Sequence, residues 1–169
     1  MQCACDDSAG AQGGGASALG WGLVVLQLVL LATLISEAAR ARRTIGLIRR
    51  VGILGAAAGG AVVGLAALKL GRELRAHPAP PSGAVLRTDG PYRLVRHPIY
   101  AGLLLFAAGS AATAGTARAV ASLCGLAALL SFKARFEERL LAERFSEYKE
   151  YARRTPRFLP RVWRVRETR

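Results

Sequence analysis

Uninterrupted apolar runs, separated by the basic residues, restrict this sequence more than any other feature. The first extends from Ala18 to about Ile35, with Trp21, Gln27 and Thr33 as its partly polar members. The second extends from Val51 to Leu70, broken only by Lys69, and the third from Ile99 to Phe132. A hydrocarbon core of roughly 30 Å is crossed by about 20 apolar residues in a helix, which satisfies its own backbone. The first two runs meet that length. The third would make a helix of roughly 50 Å at 1.5 Å per residue, too long for one crossing. It is expected to divide near Ala114-Gly115-Thr116, where Arg118 at the turn avoids the ~3 kcal/mol cost of a charge at the bilayer centre. The pattern predicts an all-α polytopic membrane protein with about four transmembrane helices, over residues 18–36, 51–70, 99–114 and 117–134. The last two form a helical hairpin.

Composition agrees. A 52% hydrophobic content and a positive mean hydropathy (+0.27) coexist with a net charge of +13 because the two kinds of residue are segregated. A nucleic-acid binder of this charge has no need of apolar stretches of membrane length, so no nucleic-acid partner is expected. Cys3 and Cys5 fall in a Gly-, Ala- and acid-rich segment, residues 1–17, which is expected to be a disordered tail ahead of one membrane domain over residues 18–169. Cys124 falls inside an apolar run. Three cysteines with only His77 and His97 build neither a disulfide framework nor a four-ligand zinc site, and no metal is expected. The first apolar run lacks a basic leader and is read as retained.

Two polar segments remain. Residues 71–98 contain His77-Pro78-Ala79-Pro80-Pro81, which cannot be helical because each proline removes a donor and restricts its predecessor. Beyond Phe132, an apolar stripe of Phe136, Leu140, Leu141, Phe145, Tyr148, Tyr151 and Ala152 at spacings of three and four predicts that the fourth helix continues out of the membrane or bends into an amphipathic helix along its surface, giving a cytosolic C-terminal helix and tail over residues 135–169. It ends at Pro156. Four spans place both segments on one side of the membrane with most of the 24 lysines and arginines, which makes that side cytoplasmic. Arg40 to Arg50 oppose this assignment, and a first run that does not span would remove the conflict. In the second run, Gly55-x-x-x-Gly59 and Gly60-x-x-x-Gly64 read as a face for close helix packing.

The segment Gly90 to Gly102 joins the polar loop to the third run. With Lys133 to Pro160 it gathers Tyr92, Arg96, His97, Tyr100, Lys133, Glu137 and Glu138 at one membrane face. Lys133 and Glu137, four residues apart, share a helical face. An ammonium would seek Glu137, a carboxylate the basic and phenolic groups, and an adenine the apolar and aromatic surface. S-adenosylmethionine carries all of these groups. Each residue also has a plainer role: His97 as a helix-entry residue bonding locally, the tyrosines as interfacial aromatics, the arginines as lipid-headgroup contacts.

Gly90-Pro91-Tyr92, Arg96-His97-Pro98-Ile99-Tyr100-Ala101-Gly102 and, after a hairpin, Glu137-Glu138, Phe145, Tyr148, Tyr151, Thr155, Arg157 and Pro160 resemble the isoprenylcysteine carboxyl methyltransferase and phospholipid methyltransferase superfamily over roughly residues 86–160. The resemblance implies an integral membrane enzyme that binds S-adenosylmethionine. Its acceptor would be lipidic or a small apolar molecule, and a lipidic one would enter from the bilayer. It also implies that Tyr92, His97, Pro98, Ile99 and Tyr100 line the cofactor site, that Glu137 holds the amino acid part, and that Ala84, Val85, Leu86 and Arg87 pass the adenosine. Lys133 stands where the isoprenylcysteine enzymes carry an arginine suited to a substrate carboxylate; lysine keeps the charge without the bidentate fork. Ser146 replaces a frequent glycine, and Gly102-Leu103-Leu104 lacks the Gly-x-Gly pattern of phospholipid N-methyltransferases. A prenylcysteine-type carboxylate is the first expectation for the acceptor, with a phospholipid amine or a small thiol as competitors. His97 is read as positioning the cofactor and not as a base. The Ala-, Gly- and Arg-rich composition suggests a GC-rich bacterial genome, and with the charge-assigned topology the expectation is a bacterial inner membrane with the active site facing the cytoplasm. A non-catalytic membrane protein that binds anionic lipid or a partner is the reading from another class.

Overall fold

The computed structural model describes residues 9–41, 46–71 and 86–160, with side chains from Gly20 onward. Among these residues all regular structure is helical: α1 (Ala9–Arg40), α2 (Gly46–Leu70), a single 3-10 turn (Gly90–Arg93), α3 (Pro98–Ala114), α4 (Ala117–Arg144) and α5 (Tyr148–Arg154). Gly20–Arg40, Gly46–Leu70 and Ala117–Arg144 are long and apolar enough to cross a membrane. The 17-residue α3 stands at the lower end of the roughly 17–25 residues a spanning helix needs. The helix α1 begins at Ala9 and not at residue 18, because adding residues to an existing helix needs no new nucleus. Cys3, Cys5 and the rest of residues 1–8 lie outside the described residues.

The division of the long run falls where its length required. Gly115 closes α3 in the left-handed region (φ 64°, ψ 23°), a conformation open to glycine at little cost, and its N–H reaches Ala111 O. Thr116 then caps α4 by accepting from Ala119 N at 3.1 Å and donates to Glu37 Oε2 at 2.8 Å. Arg118 lies 3.4 Å from the other Glu37 oxygen. The end of α1 is thereby fixed to the hairpin turn. Gln27 meets Lys133 farther along, so α1 and α4 run antiparallel.

The closest packing is between α2 and α3. A Cβ built on Gly59 would lie 2.6 Å from Gly102 O and 2.7 Å from Phe106 Cα; one on Gly102 would lie 2.9 Å from Gly59 O. Gly52 and Gly109 continue the seam toward Thr113. The expected small-residue face therefore exists, but in another register. Gly55 and Gly59 face α3, whereas Gly60 and Gly64 have no atom within 4 Å of their built Cβ positions and point away. Leu34, Ala107, Ala111, Ala119, Leu126 and Leu130 fill the seam between α1, α3 and α4. Leu47, Val51, Leu54, Leu65 and Leu68 of α2 are exposed, as expected of a face turned to lipid.

The C-terminal stripe does not form one helix. Phe145 adopts an extended conformation (φ −119°, ψ 115°) that ends α4, and α5 starts at Tyr148. Breaking the ladder turns the chain back on itself, which buries Tyr148 to 3% exposure. A straight amphipathic helix would have carried that ring away from the loop.

Candidate functional site

Three separate segments meet at the end of the bundle opposite the hairpin turn. The 3-10 turn is tied to the end of α2 by Lys69, whose ammonium lies 2.6 Å from Asp89 and holds that carboxyl below its ordinary range. From there the backbone runs into a clasp with the C-terminal segment: Arg96 N donates to Pro156 O at 2.8 Å and His97 N to Arg157 O at 3.1 Å. The Tyr151 hydroxyl donates to Tyr92 O at 2.6 Å. These bonds fix the residue before Pro98, and α3 starts from a fixed point.

His97 precedes α3 but makes no side-chain cap. Its ring, 8% exposed, crosses instead to α4. Nε2 lies 3.2 Å from Glu138 Oε1 and Nδ1 lies 3.5 Å from Glu137 Oε2, so a ring nitrogen faces each carboxylate. The ring stacks on Tyr100 with centroids 5.4 Å apart and planes 5° apart, and Phe158 leans on it at 6.1 Å. The Tyr100 hydroxyl donates to Glu137 Oε1. The plainer role of His97, a local side-chain bond at the helix entry, gives way to this cross-helix arrangement.

Glu138 is the hub. Arg157 donates to it through Nε at 2.8 Å and through a second guanidinium nitrogen, and Arg96 lies 3.3 Å from Oε1. One carboxylate thus joins α4, the loop and the C-terminal segment, a two-nitrogen fork lending orientation as well as charge. Glu137 has no guanidinium partner of that kind among the described residues and keeps 22% of its side chain exposed. Lys133, one turn deeper and 3% exposed, donates to Gln27 at 3.0 Å and lies 5.6 Å from the Tyr100 ring centroid.

Of the residues expected at the site, Tyr92, His97, Pro98, Ile99, Tyr100, Lys133 and Glu137 come together here. Leu86 is half-buried and Arg87 exposed in the non-helical segment just ahead, and Ala84 and Val85 lie outside the described residues. Gln27, Glu138 and Arg157 join them, with parts of their own that local spacing does not mark. A lone amide in an apolar run was the available signal for Gln27. Nothing in the spacing announced that Arg157 would return to Glu138. No group of three His, Cys, Asp or Glu side chains among the described residues is placed to hold a metal ion.

The clasp gives a pH prediction. Burial pushes the Tyr148 and Tyr151 phenols up, and the Glu138 charge adds to the effect at Tyr148. A phenol raised in the folded state stabilises the fold fully below the ordinary tyrosine value of about 10, and that contribution is lost as pH rises through the folded value. Phenolate absorbance in an alkaline titration should therefore lag that of free tyrosine and rise together with unfolding. Tyr151→Phe, which removes the bond to Tyr92 O, should cost about 1 kcal/mol in thermal unfolding.

Fold and site together define a polytopic helical membrane protein with an ion-paired, aromatic corner at one end of its bundle. A model of the phospholipid methyltransferase family matches residues 48–148, and the chain belongs to that family. It is 47% identical over 79 residues to the cobalt-zinc-cadmium resistance protein CzcN of Cupriavidus metallidurans, covering 46% of this chain and 36% of that protein. Identity to the nickel-cobalt-cadmium resistance protein NccN of Alcaligenes xylosoxydans xylosoxydans is 39% over 79 residues, covering 46% and 37%. Methanethiol S-methyltransferase 2 of Bradyrhizobium diazoefficiens is 42% identical over 89 residues, covering 52% and 33%. The chain spans about a third of the length of these relatives.

Proposed function

We propose that this protein transfers a methyl group from S-adenosylmethionine to a lipidic or small apolar acceptor at the boundary between membrane and cytoplasm. The observation that carries this reading is the meeting of His97 and Tyr100 with Glu137 and Glu138, two motifs more than thirty residues apart in sequence. Family membership and the methanethiol methyltransferase relative support it.

The donor set fits the cofactor. Glu137 is a partly open carboxylate suited to an ammonium. The Tyr148 hydroxyl faces the Arg96 guanidinium, a cationic donor of the kind that suits a carboxylate. Leu86, Arg87 and the first turn of α3, where Pro98, Ile99 and Tyr100 stand, complete the proposed lining, with Tyr92 beneath. When bound, the sulfonium supplies an electrophilic methyl carbon and a neutral leaving group. The chain's own part is alignment. Tyr100 fixes one Glu137 oxygen, His97 fixes the plane of Tyr100, and Glu138 with its two arginines fixes His97. No group here needs to act as a strong base on an acidic acceptor. For the acceptor, a prenylcysteine-type carboxylate remains the first expectation, and the relative's name favours a small thiol beside it. The positive charge of the loop and tail side suits the cytoplasmic face of a bacterial inner membrane.

The test is calorimetric titration of the detergent-purified chain with S-adenosylhomocysteine. Micromolar affinity, lost in Glu137→Ala while the melting temperature holds, is the expected result. Absence of binding by folded protein would favour a non-catalytic membrane protein that binds anionic lipid.

A further inference from the structure

Gln27 is the one amide side chain in the Gly20–Arg40 span, and it lies outside the family-matched residues 48–148. A polar side chain at this depth is costly unless it is partnered. Its partner is the Lys133 ammonium at 3.0 Å. A simple staple between α1 and α4 has no need of this pair, because Leu30, Leu34, Leu126 and Leu130 already pack the same seam without desolvating a charge. The ammonium is therefore the feature to be explained.

Lys133, at 3% exposure, is the one buried lysine or arginine among the described residues. Arg96 and Arg157 share Glu138, whereas no carboxylate among the described residues lies within ion-pair distance of Lys133. Its contacts are a neutral amide oxygen and the face of Tyr100. An ammonium has three donors; the amide occupies one, and the ring attracts the charge without neutralising it. Through Tyr100, this charge stands one residue away from Glu137. Glu137, one helical turn on, attracts this charge but is itself engaged by Tyr100 and His97, so a buried cation in direct ion-pair contact with no carboxylate stands beside the proposed methyl-donor site, suited to an anion that arrives with the acceptor.

We infer that Gln27 is a specificity-determining positioning residue: it holds the Lys133 ammonium beside Tyr100, where that charge selects an acceptor whose nucleophile is an anion, a thiolate or a carboxylate, over an amine. The inference rests on the methyl-transfer reading above. The acceptor leaves its proton in water and enters as the anion. A bond forms from its sulfur or oxygen to the methyl carbon, and the carbon–sulfonium bond breaks with its electron pair passing to the donor sulfur. One negative and one positive charge cancel, and no proton has to be removed, as it would from an ammonium.

The experiment uses the full chain in detergent, with radiolabelled methyl donor and three acceptors: an alkanethiol, a farnesylated N-acetylcysteine and phosphatidylethanolamine. The first two distinguish the sources of the anion. S-adenosylhomocysteine affinity is measured in parallel. The wild type should use the thiol or the carboxylate and leave the amine essentially untouched. Gln27→Leu should raise the acceptor KM about tenfold, the scale of one hydrogen bond to a charged group, with kcat and S-adenosylhomocysteine affinity little changed. Gln27→Glu, which keeps the packing but neutralises the ammonium, should raise that KM further and steepen its pH dependence. An unchanged acceptor KM in both variants, a preference for the amine, or no turnover of any acceptor by wild type that binds S-adenosylhomocysteine overturns the inference. Failure of the wild type to bind S-adenosylhomocysteine removes the methyl-transfer reading itself, a separable result.

Discussion

Glu138→Gln should lower stability by about 3 kcal/mol and remove most S-adenosylhomocysteine affinity. The carboxylate is 12% exposed and faces Arg96, His97 and Arg157 at once. Removing one member of a buried ionic cluster leaves the others uncompensated, which costs roughly 3–5 kcal/mol; the lower figure applies because Arg157 keeps 32% of its side chain in solvent. The loss of affinity follows from geometry. Without Glu138 nothing on α4 holds Arg157, the clasp at Arg96 and His97 slackens, and the ring that orients Tyr100 is freed. Thermal unfolding and calorimetry on the same preparation check both parts. An unchanged melting temperature would remove Glu138 from the centre of the site.

Gly59→Ala should cost about 3 kcal/mol, at the upper end of the usual overpacking penalty, while Gly60→Ala should change stability by less than about 1 kcal/mol. The two glycines are neighbours in sequence. The new methyl at residue 59 would meet the backbone of Gly102 and Phe106, and rigid helix backbone can relieve the contact only by separating α2 from α3. The methyl at residue 60 would meet nothing within 4 Å. Gly109→Ala, whose methyl would lie 2.9 Å from Gly55 C, should behave like Gly59→Ala. Denaturation in detergent measures all three, and equal effects at 59 and 60 would contradict the packing register.

This pair shows what was legible in the sequence. Glycine content announced a close helix contact, but four glycines at overlapping spacings fit more than one face, and the choice depends on where Phe106 and Thr113 of another helix stand. The hairpin was legible because a run too long for one crossing, with Arg118 at the turn, put the break near Ala114-Gly115-Thr116; the left-handed Gly115 and the Thr116 cap are the structural devices that make it there. The break at Phe145 was not, since its apolar spacing continues through the bend. It arises from the burial of Tyr148 and the reach of Tyr151 to Tyr92 O, both long-range. The site divided in the same way. His97, Tyr100 and Glu137 carry local motifs, whereas Arg157 and Gln27 acquire a role only through contacts far along the chain.

The clasp between Arg96-His97 and Pro156-Arg157 also sets an order of events during synthesis. When His97 emerges from the ribosome, the carbonyl that will hold it lies sixty residues in the future. All of the apolar helices can therefore be inserted while the loop is still open, and the corner closes only after the tail has been translated and has folded back. A nascent chain halted after α4 would sit correctly in the membrane and carry both motifs, yet lack a formed site. Ligand capture would then report completed biogenesis, not insertion alone.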